Sequence, residues 1–226
     1  MKAAVVTGAT GALGEAVVDE FLARGTAVVA MGRSSDRLTE LGTREGVYVV
    51  AVDLAQRAAV QAAFAEVQAL PVAPTALVAA AGAFAPGGLS ALDEDGLEAM
   101  WRTNLATTLW PAQAVTPLMA GSGGGAIVTV GSKVAVTGTG PVAYTISKAA
   151  VLRLTTLLAD ELRPQGIRVN AVQPSTIDTP DNRSWMSAEQ VATAVSPAAI
   201  AKVIAFLSSA DSAPTSGAVV PVYGDV

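Results

Sequence analysis

The chain has neither cysteine nor histidine. The first absence removes disulfides, thiolate nucleophiles and cysteine metal sites, and leaves the redox compartment open. The second removes the usual serine-hydrolase triad and the commonest zinc ligand, so no metal site is expected and proton chemistry must use other groups. Charge is sparse as well, with 14 basic against 19 acidic residues and a net charge of -5 among 226 residues. That balance argues against a nucleic-acid-binding face. Although 51% of the residues are hydrophobic, they are mostly Ala and Val in short runs. None approaches the roughly 18 uninterrupted apolar residues of a membrane helix. The opening MKAAVVTGATGALG is broken at Gly8 and no cleavage-like segment follows, so no signal peptide is expected. These absences lead us to expect a soluble, cytoplasmic protein with neither membrane nor nucleic-acid partners.

What is present is an alternation of β-rich runs with longer Ala/Leu-rich stretches, the pattern of βαβ units in a parallel sheet. Strands are expected at 3–7, 27–31, 47–52, 76–80, 126–130, 168–172 and 218–222, and helices at 13–24, 57–70, 94–119, 143–163 and 197–208. Pro111 and Pro117 are positions where the third helix could kink. The run 175–196 has no period and reads as a lid, and 121–125 as a glycine turn. No linker or repeat divides the chain, and 1–226 is expected to be a single domain.

The segment VVTGATGALGEAVVDEFLARG places Gly8, Gly11 and Gly14 between a strand and a helix. Glycine lets the backbone turn sharply and approach a pyrophosphate, whose charge is met by free amides at the helix N-terminus. An ordinary strand-to-helix turn is the plainer alternative, but strand, glycines and helix stand here in the order that dinucleotide binding requires. Contacts are expected from Thr7, Gly8, Gly11, Leu13 and Gly14. The second strand ends in Met31, Gly32, Arg33, Ser34, without the carboxylate that would hold a ribose 2′-hydroxyl. Arg33, assisted by Ser34 or Arg37, suits a 2′-phosphate, which favours NADP(H); if Arg33 only stacks on adenine or stays in solvent, NAD(H) remains possible.

Thr7, Gly8 and Gly14 resemble the opening T-G-x-x-x-G-x-G motif of the short-chain dehydrogenase/reductase family. The middle glycine departs: Ala12 occupies its place and Gly11 precedes it, a spacing similar to extended or atypical branches and dihydropteridine reductases. The resemblance extends through Asp53 and Leu54, Ala81 and Gly82, Asn104, Ser132, Tyr144 with Lys148, and the run 174–179. The family's N-N-A-G reads A-A-A-G at 79–82, losing side-chain amides that support the sheet. PSTIDTPDNR at 174–183 also looks like dihydropteridine reductases, whereas Ser132 and Asn104 fit the commoner enzymes. The resemblance implies a doubly wound, Rossmann-like α/β fold: a parallel sheet of about seven strands with helices on both faces.

Tyr144 and Lys148 stand four apart at the start of a helical pattern, so both lie on one face. A free phenol ionises at about pH 10, and a neighbouring ammonium or oxidised nicotinamide should lower that value towards useful acid/base chemistry. The resemblance implies that Tyr144 transfers the proton, Lys148 also holds the nicotinamide ribose, Ser132 orients the substrate oxygen and Asn104 supports a relay water. It further implies that Asp53 and Leu54 flank the adenine, and that Ala81, Gly82, Pro174, Ile177 and Thr179 line the cofactor. An exposed Tyr–Lys pair and a structural Asn104 are the plainer alternatives. Ser132 lies 12 residues before Tyr144, one fewer than is common in the family.

Phe84, Val134, Trp185 and Met186 are candidate substrate contacts and suit a compact apolar molecule, although they could be ordinary core or subunit contacts. The leading expectation is an NADP(H)-dependent oxidoreductase acting on a small carbonyl or alcohol. A pterin-like reductase and a non-catalytic dinucleotide sensor are the alternatives. Apolar residues on more than one face of the helices at 94–119 and 143–163 lead us to expect a homodimer or homotetramer.

Overall fold

The computed structural model describes residues 1–224. Seven strands form one sheet: β1 (Lys2–Thr7), β2 (Ala27–Gly32), β3 (Val47–Ala51), β4 (Ala73–Ala79), β5 (Gly125–Val130), β6 (Ile167–Pro174) and β7 (Val219–Val222). Their spatial order is β3-β2-β1-β4-β5-β6-β7, and every neighbouring pair is parallel. The order reverses between β1 and β4. The carboxyl ends of strands at such a reversal are the usual ligand position in open α/β sheets.

The strands read as apolar runs because both faces are covered. Successive β1 side chains alternate between two cores: Ala3 and Val5 face one, Ala4 and Val6 the other. The first core receives Val60, Phe64 and Val67 from α3 (Arg57–Ala69) and Ala112, Val115 and Met119 from α5 (Thr107–Gly121). The second receives Val17, Val18 and Phe21 from α1 (Ala12–Ala23) and Ile200, Ile204 and Leu207 from α9 (Pro197–Ser208). Each Val or Leu removed from water contributes roughly 1.5–3 kcal/mol, so these interlocked faces are the main support of the sheet.

The remaining helices are α2 (Asp36–Leu41), α4 (Glu94–Met100), α6 (Val142–Glu161), α7 (Pro180–Arg183) and α8 (Ala188–Thr193). The helix expected at 94–119 contains a π-helical stretch at Trp101–Ala106 between α4 and α5. Within and after it, the hydroxyls of Thr103, Thr107 and Thr108 donate to the carbonyls four residues back, at 2.7, 2.7 and 2.9 Å. Pro111 and Pro117 lie inside α5 without breaking it. The run expected to be an aperiodic lid instead carries α7 and α8. Thr179 caps the former, Ser187 and Gln190 form a capping box on the latter, and Ile177 bridges Val195. α6 is long and apolar enough by composition to cross a membrane, yet it carries Lys148 and Arg153 and buries Val151, Leu152 and Thr155 inside the protein.

Candidate active site

At the first βα turn, Gly8 has φ +66, and a Cβ there would stand 2.8 Å from the Ala81 Cα. Gly14 is still more confined: its Cβ would meet the Gly8 carbonyl oxygen at 2.1 Å. Glycine is therefore required at both positions, but Gly14 serves helix packing rather than an open ligand face. Gly11 is exposed at the N-cap of α1, with no side-chain cap on the first amides. Those amides suit a dinucleotide pyrophosphate.

The other expected cofactor positions divide by accessibility. The Leu13 side chain is buried in the core, contrary to a side-chain role at the cofactor, and Leu54 is likewise 6% exposed. Thr7 is wholly buried: its hydroxyl donates to the Val78 carbonyl and accepts from the Ala81 amide, both at 3.4 Å. It holds β4 beside β1 instead of facing a ligand. Pro174 is buried and Ile177 half-buried, while Thr179 spends its hydroxyl on capping α7. Arg33 and Ser34 are exposed at the end of β2, and Arg33 forms no ion pair among the described residues. Arg37 pairs with Glu15 at 2.9 Å, across a cleft of about 160 Å³ that Thr10 also lines. The exposed Asp53 accepts from the Ala55 amide at 3.0 Å.

β5 ends beside the chemistry. Ser132, 9% exposed, lies two residues beyond it, and the buried Lys148 ammonium donates to the Val130 carbonyl at 2.9 Å. Gly82 lies against Lys148 and Asn104, since a Cβ there would meet the Asn104 Oδ1 at 2.8 Å and the Lys148 Nζ at 3.2 Å. Tyr144 stands one helical turn before Lys148, with the Ser132 side chain near enough to act on its phenol. Burial pushes the phenol above its ordinary value and Ser132 draws it partly back. In the protein alone, desolvation thus outweighs the expected downward pull of the ammonium. Burial also lowers Lys148 from 10.5 to about 8.

Asn104 lies in the π-helical stretch, fully buried. Its Oδ1 accepts from the Ala83 amide at 3.0 Å, and its Nδ2 donates to the Ala83 carbonyl at 3.1 Å and the Ser147 Oγ at 3.0 Å. The side chain thus clamps the loop after β4 to the helix that carries Tyr144. Thr107 adds a 3.4 Å bond to the Ala81 carbonyl. Thr7 and Thr107 anchor the A-A-A-G turn, which has no side-chain amides of its own, and Asn104 anchors Ala83 just after it.

Ser147 escaped the sequence reading. It is wholly buried and donates to the Tyr144 carbonyl at 2.8 Å while accepting from Asn104. Its place three residues after Tyr144 on one helix was the available signal. Among the expected substrate contacts, the Phe84 ring meets Tyr144 edge-on at 5.1 Å, Phe84 and Trp185 are exposed, and Val134 and Met186 half-buried.

A glycine turn at the switch point, with Tyr, Lys and Ser gathered beside it, defines a dinucleotide-fold oxidoreductase. The family model "short chain dehydrogenase" matches residues 2–190, and the chain belongs to that family. It is 30% identical to the 3-oxoacyl-acyl-carrier-protein reductase MabA of Mycobacterium tuberculosis, over 99% of this chain and 92% of that protein. It is 34% identical to galactitol 2-dehydrogenase of Rhizobium johnstonii, over 97% and 92%. The crystal structure of L-sorbose reductase from Gluconobacter frateurii, complexed with NADPH and L-sorbose, superposes with a TM-score of 0.91 at 27% identity, over 99% of this chain and 95% of that one.

Proposed function

We propose that this enzyme is an NADP(H)-dependent oxidoreductase that interconverts a small carbonyl compound and its alcohol, with Tyr144 as general acid and base. The observation that carries the reading is the convergence of Tyr144 and Ser132 beside a buried Lys148, next to the glycine turn. The nicotinamide, when bound, supplies or accepts the hydride. The protein's part is positional and protonic: Ser132 orients the substrate oxygen, and Tyr144 exchanges a proton with it. The Lys148 ammonium holds the ribose and favours phenolate in the alcohol-oxidising direction. Asn104 and Ser147 fix the helix turn that carries Tyr144.

Exposed Arg33 supports NADP(H) over NAD(H), because a guanidinium with no acidic partner among the described residues can engage a 2′-phosphate bidentately. NADPH in the L-sorbose reductase complex supports the same choice. Ser132 beside Tyr144 favours carbonyl chemistry over the pterin-reductase alternative, and the retained Tyr–Lys pair favours catalysis over sensing. Residues 175–196, with their two short helices, act as a lid within one dinucleotide-binding domain. Exposed Ile146 and Leu157 on α6 and Phe206 on α9 support a homo-oligomer.

The test is calorimetric titration with NADPH and NADH, on wild type and Arg33→Ala, followed by turnover with Tyr144→Phe as control. Selective NADPH binding that weakens at least tenfold in Arg33→Ala is expected, about the 1.4 kcal/mol of one charged hydrogen bond. Preference for NADH would remove the Arg33 assignment, and binding of neither would remove the oxidoreductase reading.

A further inference from the structure

Three loops leave the carboxyl edge of the sheet around Tyr144: 80–93 after β4, 131–141 after β5 and 175–196 after β6. In the first and third, large apolar side chains remain in solvent, with Phe84 56%, Leu89 78% and Trp185 55% exposed. Phe84 is held against the chemistry by its edge-on contact with Tyr144. Several polar side chains in the same loops are spent on the protein's own backbone. The Thr179 hydroxyl accepts from the Asn182 amide, and Asn182 Nδ2 donates to the Ile177 carbonyl. Ser184 donates to the Asp181 carbonyl, Thr137 to that of Lys133, and Ser187 with Gln190 closes the capping box. Cations are engaged too: Arg183 pairs with Asp178, and Lys133 lies over the Tyr223 ring at 4.8 Å.

We propose that the substrate is a free, uncharged, apolar ketone, or its secondary alcohol in reverse, whose carbon chain or ring lies against Phe84. This rests on the oxidoreductase reading above. A polyhydroxylated ketone would leave water for loops in which most of the lid's polar side chains are already used, and each unmatched hydroxyl weakens binding. An acyl thioester on a phosphate-bearing carrier would find both loop cations, Lys133 and Arg183, already engaged. Reduction adds a hydride from NADPH to the carbonyl carbon and a proton from the Tyr144 hydroxyl to its oxygen, giving the alcohol and NADP+. The specificity claimed here therefore separates this chain from relatives named for galactitol and for acyl-carrier thioesters.

The experiment compares 2-octanone, acetophenone, D-fructose and acetoacetyl-coenzyme A as NADPH-linked substrates, with ketone binding measured by calorimetry. Either apolar ketone should exceed D-fructose and the thioester by roughly a hundredfold in kcat/KM. Phe84→Ala should raise KM and the calorimetric Kd for 2-octanone about tenfold, with kcat changed less than about threefold, and Phe84→Leu should restore most of the loss. NADPH binding should be unchanged in both variants. Preference for D-fructose or acetoacetyl-coenzyme A overturns the proposal, as does NADPH binding without turnover of either apolar ketone. Failure to bind NADPH at all removes the underlying reading instead.

Discussion

Lys148 is fully buried with its ammonium lowered to about 8, so the folded protein holds this proton less tightly than the unfolded chain. Between pH of about 8 and 10.5 the unfolded state carries more protons, and stability rises with pH through that window. Below it the folded state bears the full penalty, about 3 kcal/mol as an upper bound. Lys148→Met should accordingly abolish turnover yet raise the unfolding temperature at pH 7 by about 3–6 °C, an advantage that shrinks as pH approaches 10. Calorimetric melting across pH checks this, and a less stable variant at pH 7 would refute the burial argument. Asn104→Ala has the opposite sign. It takes away the acceptor of the Ala83 amide and one of the two partners of the Ser147 hydroxyl, and should cost about 2–3 kcal/mol in denaturant unfolding while lowering kcat. Helical spacing paired Tyr144 with Lys148, whereas Ser132 and Asn104 were pointed out by the family resemblance. The clamp made by Asn104 was not legible, because its partners lie 21 and 43 residues away in the chain.

At the scale of elements, the glycine turn contains two positions that look alike in sequence and differ in physics. Gly14→Ala would drive a methyl into the Gly8 carbonyl and should destabilise by more than about 3 kcal/mol, measured by denaturant unfolding. Gly11→Ala meets the same oxygen at 3.4 Å, an ordinary contact. It should leave stability within about 1 kcal/mol while weakening dinucleotide binding by titration. All seven strands were readable because each is a short apolar run bounded by turn residues. α2, α7 and α8, of 6, 4 and 6 residues, are too short to show a helical period. The π-helical stretch was hidden for a related reason: one wider turn inside an apolar helix barely disturbs the pattern of hydrophobic residues.

Across the whole molecule, the apolar side chains left on α6 and α9 bear on assembly. Light scattering should give a mass at least twice the 22.6 kDa of one chain, and Leu157→Asp should shift it towards the monomer. The sheet order has a separate bearing on how the protein is made. β1 pairs with β4 across about seventy intervening residues, and Gly8 and Thr7 take their final places only against Ala81. A chain emerging from the ribosome therefore carries the glycine-rich segment long before that segment has a shape. The nucleotide cannot act as a template for the first βαβ units, and a fragment ending before β4 should show no affinity for it. Cofactor rescue of folding begins only after more than a third of the polypeptide has been synthesised.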